Sequence, residues 1–299
     1  MVRIFHYTIT PANDGMSIKD YLGSLGYPHA VFVRLKKTPH SILLNGEWVY
    51  VTTEIHSGDL LSITLEEMEG SKNILPMSLP LSICYEDEDI LVVNKPAHMP
   101  THPSMGHHEN TLANAAAGYF YRQNIPYTFR CVNRLDRDTT GLTILAKHML
   151  SSAILNTQVT NRQISREYLA IVEGFLPDFG TINAPIGRKD DSSIERQVDF
   201  LHGEHAITHY RRLSYREGLS LVSLHLETGR THQIRVHMKH IGHPLIGDFL
   251  YNPENRIIKR QALHAYRLQF HHPITRTAMD LSAPLPEDMA AFFPDFCAF

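Results

Sequence analysis

Between Glu66 and Leu81 the chain loses its apolar periodicity, carrying Gly70, Ser71, Pro76 and Pro80 with neither a helical nor a strand repeat. One hydrophobic core cannot run through such a break. The chain is therefore expected to fold as a small module, residues 1–69, a linker, 70–81, and a larger domain, 82–299. In the module, Ser17 with Asp20 three residues on signals a helix N-terminus, and Gly26 ends that helix. A second helix is predicted from Pro28 to Lys37, with Val31 and Leu35 on one face. Ile42-Leu43-Leu44 and Trp48 to Val51 flank Asn45-Gly46, a hairpin turn because both residues accept positive φ, and Gly58-Asp59 turns into a last strand, Leu60 to Leu65.

The larger domain opens with a hairpin, Ser82 to Tyr85 and Ile90 to Val93, around an acidic turn. A helix follows from Asn110 to Tyr121, then a buried strand from Leu142 to Ala146 and a helix from Ser151 to Gln163. Arg166 to Val172 reads as a strand with Tyr168, Ala170 and Val172 on one face. Two more hairpins are expected, 206–215 with 219–226 and 262–270 with 278–283. Ile234, Met238 and Ile241 have helical spacing between them, and Pro286 opens a C-terminal helix. Hairpins outnumber strand-helix-strand crossovers, so the fold class is α+β, a mainly antiparallel mixed sheet preceded by a small α+β module.

Charge limits the partners. A net charge of -3 argues against a surface coated in basic patches, so a nucleic-acid partner calls for some of the 20 histidines to be protonated beside phosphate or for a local basic groove that the whole-chain balance averages away. No apolar run reaches the roughly 18 residues of a membrane span, and the N-terminus lacks a signal peptide's apolar stretch, so a cytoplasmic protein is expected. Cys84, Cys131 and Cys297 are odd in number and far apart, which suggests reduced, buried thiols. Without a heptad or a long edge strand, a monomer is expected.

Reactive chemistry concentrates in the loop Asn133-Arg134-Leu135-Asp136-Arg137-Asp138-Thr139-Thr140-Gly141, at the mouth of a predicted strand. A carboxylate between arginines stays ionised and can serve as nucleophile or base; two Arg and two Asp on a loop also make an ordinary surface ion-pair cluster. Tyr168 puts a polar tip on a strand face, and Arg230 precedes a helix whose free N–H groups favour anions. His232, His237 and His240 are spaced by five and three, unlike the i, i+4 pair of a helical metal site, and His102, His107 and His108 form a looser group. No metal is expected.

Taken in order, these stretches resemble the RluA-type pseudouridine synthases. The resemblance runs through Val92-Val93-Asn94-Lys95-Pro96, the 133–142 loop, Arg166 to Gly174, Ala184-Pro185-Ile186-Gly187-Arg188, Thr228 to His237 and Leu263-His264-Ala265. It implies conversion of uridine to pseudouridine in RNA without cofactor or metal. Asp136 would be the catalytic aspartate, Tyr168 would stack on the base or take its carbon-5 proton, and Arg230 would pair with Asp136. Arg134 would fill the space left by a flipped nucleotide. Leu135, Thr139, Thr140, Gly141, Leu226, His232, Gln233 and Arg235 would contact RNA or uracil. The module 1–69 resembles the S-four-like RNA-binding domain, which implicates Arg34, Lys36 and Lys37 in phosphate contacts. Ribosomal RNA is favoured over transfer RNA. The chain departs from the family pattern at Asn133, Thr140 and His98, where His, Ser and Gly are common. The rival reading is a non-catalytic RNA-binding or ribosome-assembly factor on the same fold.

Overall fold

The computed structural model describes residues 1–104, 108–189, 192 and 194–296. His107 and Cys297 lie outside them. The first sheet is built from β1 (Val2–Thr8), β2 (Ile42–Leu44), β3 (Glu47–Trp48) and β4 (Leu60–Glu66), in the order β1-β4-β2-β3. The sequence reading missed β1: of its seven residues only Phe5 is buried, so no alternation announces it. Helix α1 (Ile18–Ser24) is capped as expected, the Ser17 hydroxyl accepting from the Asp20 amide. Helix α2 (His29–Lys37) buries Val31, Phe32 and Leu35.

The second sheet takes β5 (Ile83–Glu86), β6 (Ile90–Lys95), β7 (Thr140–Ala146), β8 (Ser165–Glu173) and β9 (Phe179–Asn183). A separate ribbon, β10 (Ile186–Arg188) with β11 (Arg196–Val198), follows. The sheet then gains β12 (Ile207–Arg216), β13 (Leu219–Leu226), β14 (Leu263–His271) and β15 (Ala278–Ser282). Its order is β5-β6-β7-β14-β8-β13-β12-β9, and β15 pairs β14 at Arg267 to His271, beyond the short β7 contact at His264 and Ala265. The short strands β9, β10 and β11 carry Gly180, Gly187 and Arg196 rather than alternating apolar residues, and nothing in the sequence marked them. Helices α3 (Leu112–Tyr121), α4 (Met149–Thr160), α5 (Gln233–His240) and α6 (Glu287–Ala290) complete the chain. No helix among the described residues is long and apolar enough to cross a membrane.

The junction β7/β14 is parallel, whereas the other paired strands of this sheet are antiparallel. Thr140 faces His264 and Gly141 faces Ala265. Gly141 has φ +114°, and a Cβ there would lie 2.3 Å from the Ala265 carbonyl oxygen, so only glycine permits the strands to meet. The catalytic-loop candidate, 133–139, feeds directly into this junction.

Residues 70–81 form neither helix nor strand, yet they are docked. Ser71 and Met77 donate backbone hydrogen bonds to Tyr127 and Asn114, and the Asn114 side chain donates to the Leu75 carbonyl. The core under the first sheet also takes in Leu150 and Ile154 of α4. Arg3 of β1 donates to the buried Asp89 carboxylate, which His148 contacts at 2.9 Å. Cys131 is half-buried, but Cys84 is exposed, against expectation, because it sits at an irregularity of the edge strand β5.

Candidate active site

The loop before β7 is clamped from beneath. Asn133 uses its amide as a strand would, donating to the Leu142 carbonyl at 2.9 Å and accepting from the Ile144 amide at 2.8 Å. Lys95, with no exposure, sends its ammonium to the carbonyls of Pro96, Met99 and Arg137 at 2.9, 2.9 and 3.0 Å. Three acceptors match the three donors of a protonated amine. Burial pushes the Lys95 amine down to about 7, while the Asp136 and Asp138 charges oppose that fall. Asp138 pairs with side chains: Arg137 holds both carboxylate oxygens, and His98, at φ +61°, contacts one at 2.9 Å. Burial opposes its ionised form, but Arg137 and His98 outweigh burial and hold Asp138 below the usual carboxylate range.

Asp136 is met by Arg235 rather than Arg230. Arg235 Nη1 donates to Asp136 Oδ2 at 3.1 Å, while its Nε and Nη2 grip Asp248 at 2.6 and 2.7 Å. Asp248 is fully buried and also accepts from the Leu250 and Tyr251 amides. Burial works against the Arg235 charge, and the two carboxylates outweigh it, raising its pKa above the ordinary range. The guanidinium is therefore fixed by Asp248 and aimed by it at Asp136. Arg230 points away. It bonds the Glu204 carboxylate and the His205 carbonyl of the β11–β12 loop at the surface.

A cavity of about 630 Å³ brings together Arg134, Leu135, Asp136, Thr139, Tyr168, Leu226, Arg230, His232, Gln233 and Arg235. Tyr168 is buried, and burial lifts its phenol above the usual range, with Arg166 opposing and Asp136 adding. His232 lies 3.9 Å from Asp136 Oδ2 and at 2.9 Å from the Tyr251 hydroxyl; burial lowers its pKa against the pull of Asp136. The walls also carry Arg162 and Arg166, so five arginines and two carboxylates, Asp136 and Glu227, line the cavity. This is the local basic groove that a net charge of -3 conceals.

Three of the residues expected to contact RNA are engaged within the protein. Gln233 is consumed in the turn: its oxygen accepts from the Thr228 hydroxyl and the Arg230 amide, and its nitrogen donates to Ile207 and Thr208. Thr140 lies inside the sheet against His264 at 2.9 Å, and Gly141 is buried at the strand junction. Arg34, Lys36 and Lys37 sit on α2, outside this cavity. The fully buried His237 spends both ring nitrogens on Thr208 and Ala184. Among the described residues, Asp87, Asp89 and His272 place ligand atoms within 4.8 Å, but their carboxylates already serve Arg3, His148, Tyr85 and backbone amides.

A carboxylate and a phenol line one arginine-rich cavity at a sheet junction, an arrangement suited to acid-base or nucleophilic chemistry on an anionic substrate. The RNA pseudouridylate synthase family pattern matches residues 89–240. The chain is 41% identical over 276 residues to the uncharacterized RNA pseudouridine synthase YjbO of Bacillus subtilis (strain 168), covering 92% of this chain and 97% of that one. It is 38% identical over 265 residues to the ribosomal large subunit pseudouridine synthase D of Vibrio cholerae serotype O1, with 83% and 81% covered. The solved structure of human RNA pseudouridylate synthase domain containing 1 has a TM-score of 0.58 at 26% identity, covering 70% of this chain and 84% of that one. The chain belongs to the RluA-type RNA pseudouridine synthases.

Proposed function

We propose that the enzyme isomerises specific uridines of structured ribosomal RNA, with Asp136 as its catalytic carboxylate. The observation that carries this is the fixed triad Asp248–Arg235–Asp136, which aims Asp136 into the same cavity as Tyr168. The choice of ribosomal RNA rests on relatives described as ribosomal large subunit pseudouridine synthases.

The reaction breaks the bond from N1 of uracil to C1′, with the electron pair going to N1. The ring turns, C5 bonds to C1′, the C5 proton leaves and N1 regains a proton, so the product is an isomer. Asp136 acts as nucleophile at C1′ or as base on a sugar proton; both need a positioned, ionised carboxylate. Burial favours the neutral phenol of Tyr168, which suits it to stacking on the uracil rather than to accepting a proton. A base inside a helix hides its glycosidic bond, so the nucleotide is flipped out at a cost of about a few kcal/mol. Arg134, exposed at the cavity rim, takes the vacated place. The module 1–69 adds phosphate contacts through Arg34, Lys36 and Lys37.

Pseudouridine mapping tests this on RNA from a strain lacking the protein, complemented with wild type or Asp136→Asn. Ribosomal sites restored only by wild type are expected. Sites restored equally by both would sink the catalytic reading and leave the RNA-binding or assembly factor; sites confined to transfer RNA would overturn the substrate.

A further inference from the structure

Three of the five cavity arginines are held by acidic partners. Arg235 is gripped by Asp248 and Asp136, Arg230 by Glu204, and Arg162 by Glu227 at 2.8 Å. Arg134 reaches solvent at the rim. Arg166 is neither held nor free in water. It is half-buried at the start of β8, no carboxylate or carbonyl among the described residues bonds its guanidinium, and its Nε is sealed from solvent without a hydrogen-bond partner.

Its position is built. The guanidinium packs against Gly229 in the turn after β13, where a Cβ would stand 2.9 Å from Nη1. Arg166 and Tyr168 are two apart on one strand and share a face, which sets them roughly 7 Å apart along β8. An unpaired, half-buried cation is unfavourable unless something that enters the cavity pairs with it.

We infer that Arg166 is the receptor for a backbone phosphate of the RNA next to the flipped uridine. A neutral uracil carbonyl would accept one hydrogen bond and leave the charge uncompensated. A phosphate satisfies the planar fork through two oxygens and neutralises it. The spacing also fits: the base lies against Tyr168 while the chain entering the cavity passes Arg166. This deepens the pseudouridine synthase reading of the same cavity and rests on it.

The test uses fluorescence anisotropy with labelled pentauridylate, either with phosphodiester links or with neutral methylphosphonate links, and needs no pseudouridine formation. Arg166→Gln is expected to weaken phosphodiester binding about ten-fold and methylphosphonate binding less than two-fold, and to reduce the slope of log affinity against log salt by about 0.7. Arg166→Lys should recover part of the loss. The melting temperature of Arg166→Gln should stay level or rise, since an unpaired buried charge is removed, whereas a residue that merely supports the fold would lower it. Equal losses on both oligonucleotides, no loss on either, or no wild-type binding of the phosphodiester form would overturn the assignment. Failure of the mapping experiment with a charge-selective loss here would reject catalysis and keep the phosphate site.

Discussion

Replacing Arg235 and Arg230 separately distinguishes the geometry seen here from the pairing that motif order suggested. Arg235→Gln removes the donor to Asp136 and leaves Asp248, which has no exposure, without its two charge-assisted bonds. Breaking a buried pair from one side costs about 3–5 kcal/mol, a large part of a domain's roughly 5–15 kcal/mol of net stability. The lost bond to Asp136 is worth about 1.5–3 kcal/mol, which translates into about a ten- to hundred-fold slower reaction. Arg230→Gln breaks a surface pair with Glu204, whose side chains are 38% and 69% exposed, and a bond to the His205 carbonyl, and leaves Asp136 and Arg235 untouched. Such pairs contribute about 0–1 kcal/mol, and the rate should stay within about five-fold. Urea unfolding gives the stabilities, and the initial rate of pseudouridine formation in total RNA from a strain lacking the protein gives the activities. The double variant Arg235→Gln/Asp248→Asn removes both buried charges, so stability should recover while rate does not. A rate loss in Arg230→Gln equal to that in Arg235→Gln, or recovery of rate with stability in the double variant, would refute the reasoning.

Lys95→Met leaves the carbonyls of Pro96, Met99 and Arg137 without their shared donor and should cost about 1–3 kcal/mol in urea unfolding while slowing the reaction; a neutral result would show that the loop does not depend on the ammonium. Burial holds His264 down to about 4, below its unfolded value of 6.5. Its contribution is therefore present above pH 6.5 and lost as pH falls toward 4, by about 2 kcal/mol at pH 5, and His264→Gln should flatten that part of the stability curve. Gly141→Ala drives a Cβ into the Ala265 backbone and should abolish folding or lower the melting temperature by well over ten degrees; a soluble, active variant would contradict the strand contact. Lys36→Gln/Lys37→Gln should reduce the salt slope of binding to the mapped RNA by about 1 to 2 without changing the rate at saturation, and an unchanged slope would remove α2 from the interface.

The hairpins, the helices α1 to α5 and the loop bearing Asp136 were legible because each is written locally, in turn residues, caps and periodicity. Arg235 was less so. Its partner Asp248 lies thirteen residues on, beyond a turn, and only the fold brings the two together. One signal was available: Arg235 stands three residues before Met238 and beside Ile234, on the buried side of α5, where an unpaired cation would be intolerable. Gln233 looked like a polar residue awaiting a ligand, but its four hydrogen bonds run to residues on either side of a β12–α5 contact that no local pattern encodes. The basic groove was invisible in composition because its arginines come from separate stretches and are balanced in the overall charge by the chain's acidic residues.

The parallel junction of β7 and β14 joins residues 124 apart in the chain, Thr140 and His264. Asp136 comes from one side of it, and Tyr168, Arg235 and Asp248 come from the other. Neither half of the sheet holds a site by itself. Closing so long a loop is entropically costly. Catalytic competence therefore arises only when the chain's most distant pairing is made, and a nascent or partly unfolded chain presents arginines to RNA without an assembled centre to act on it.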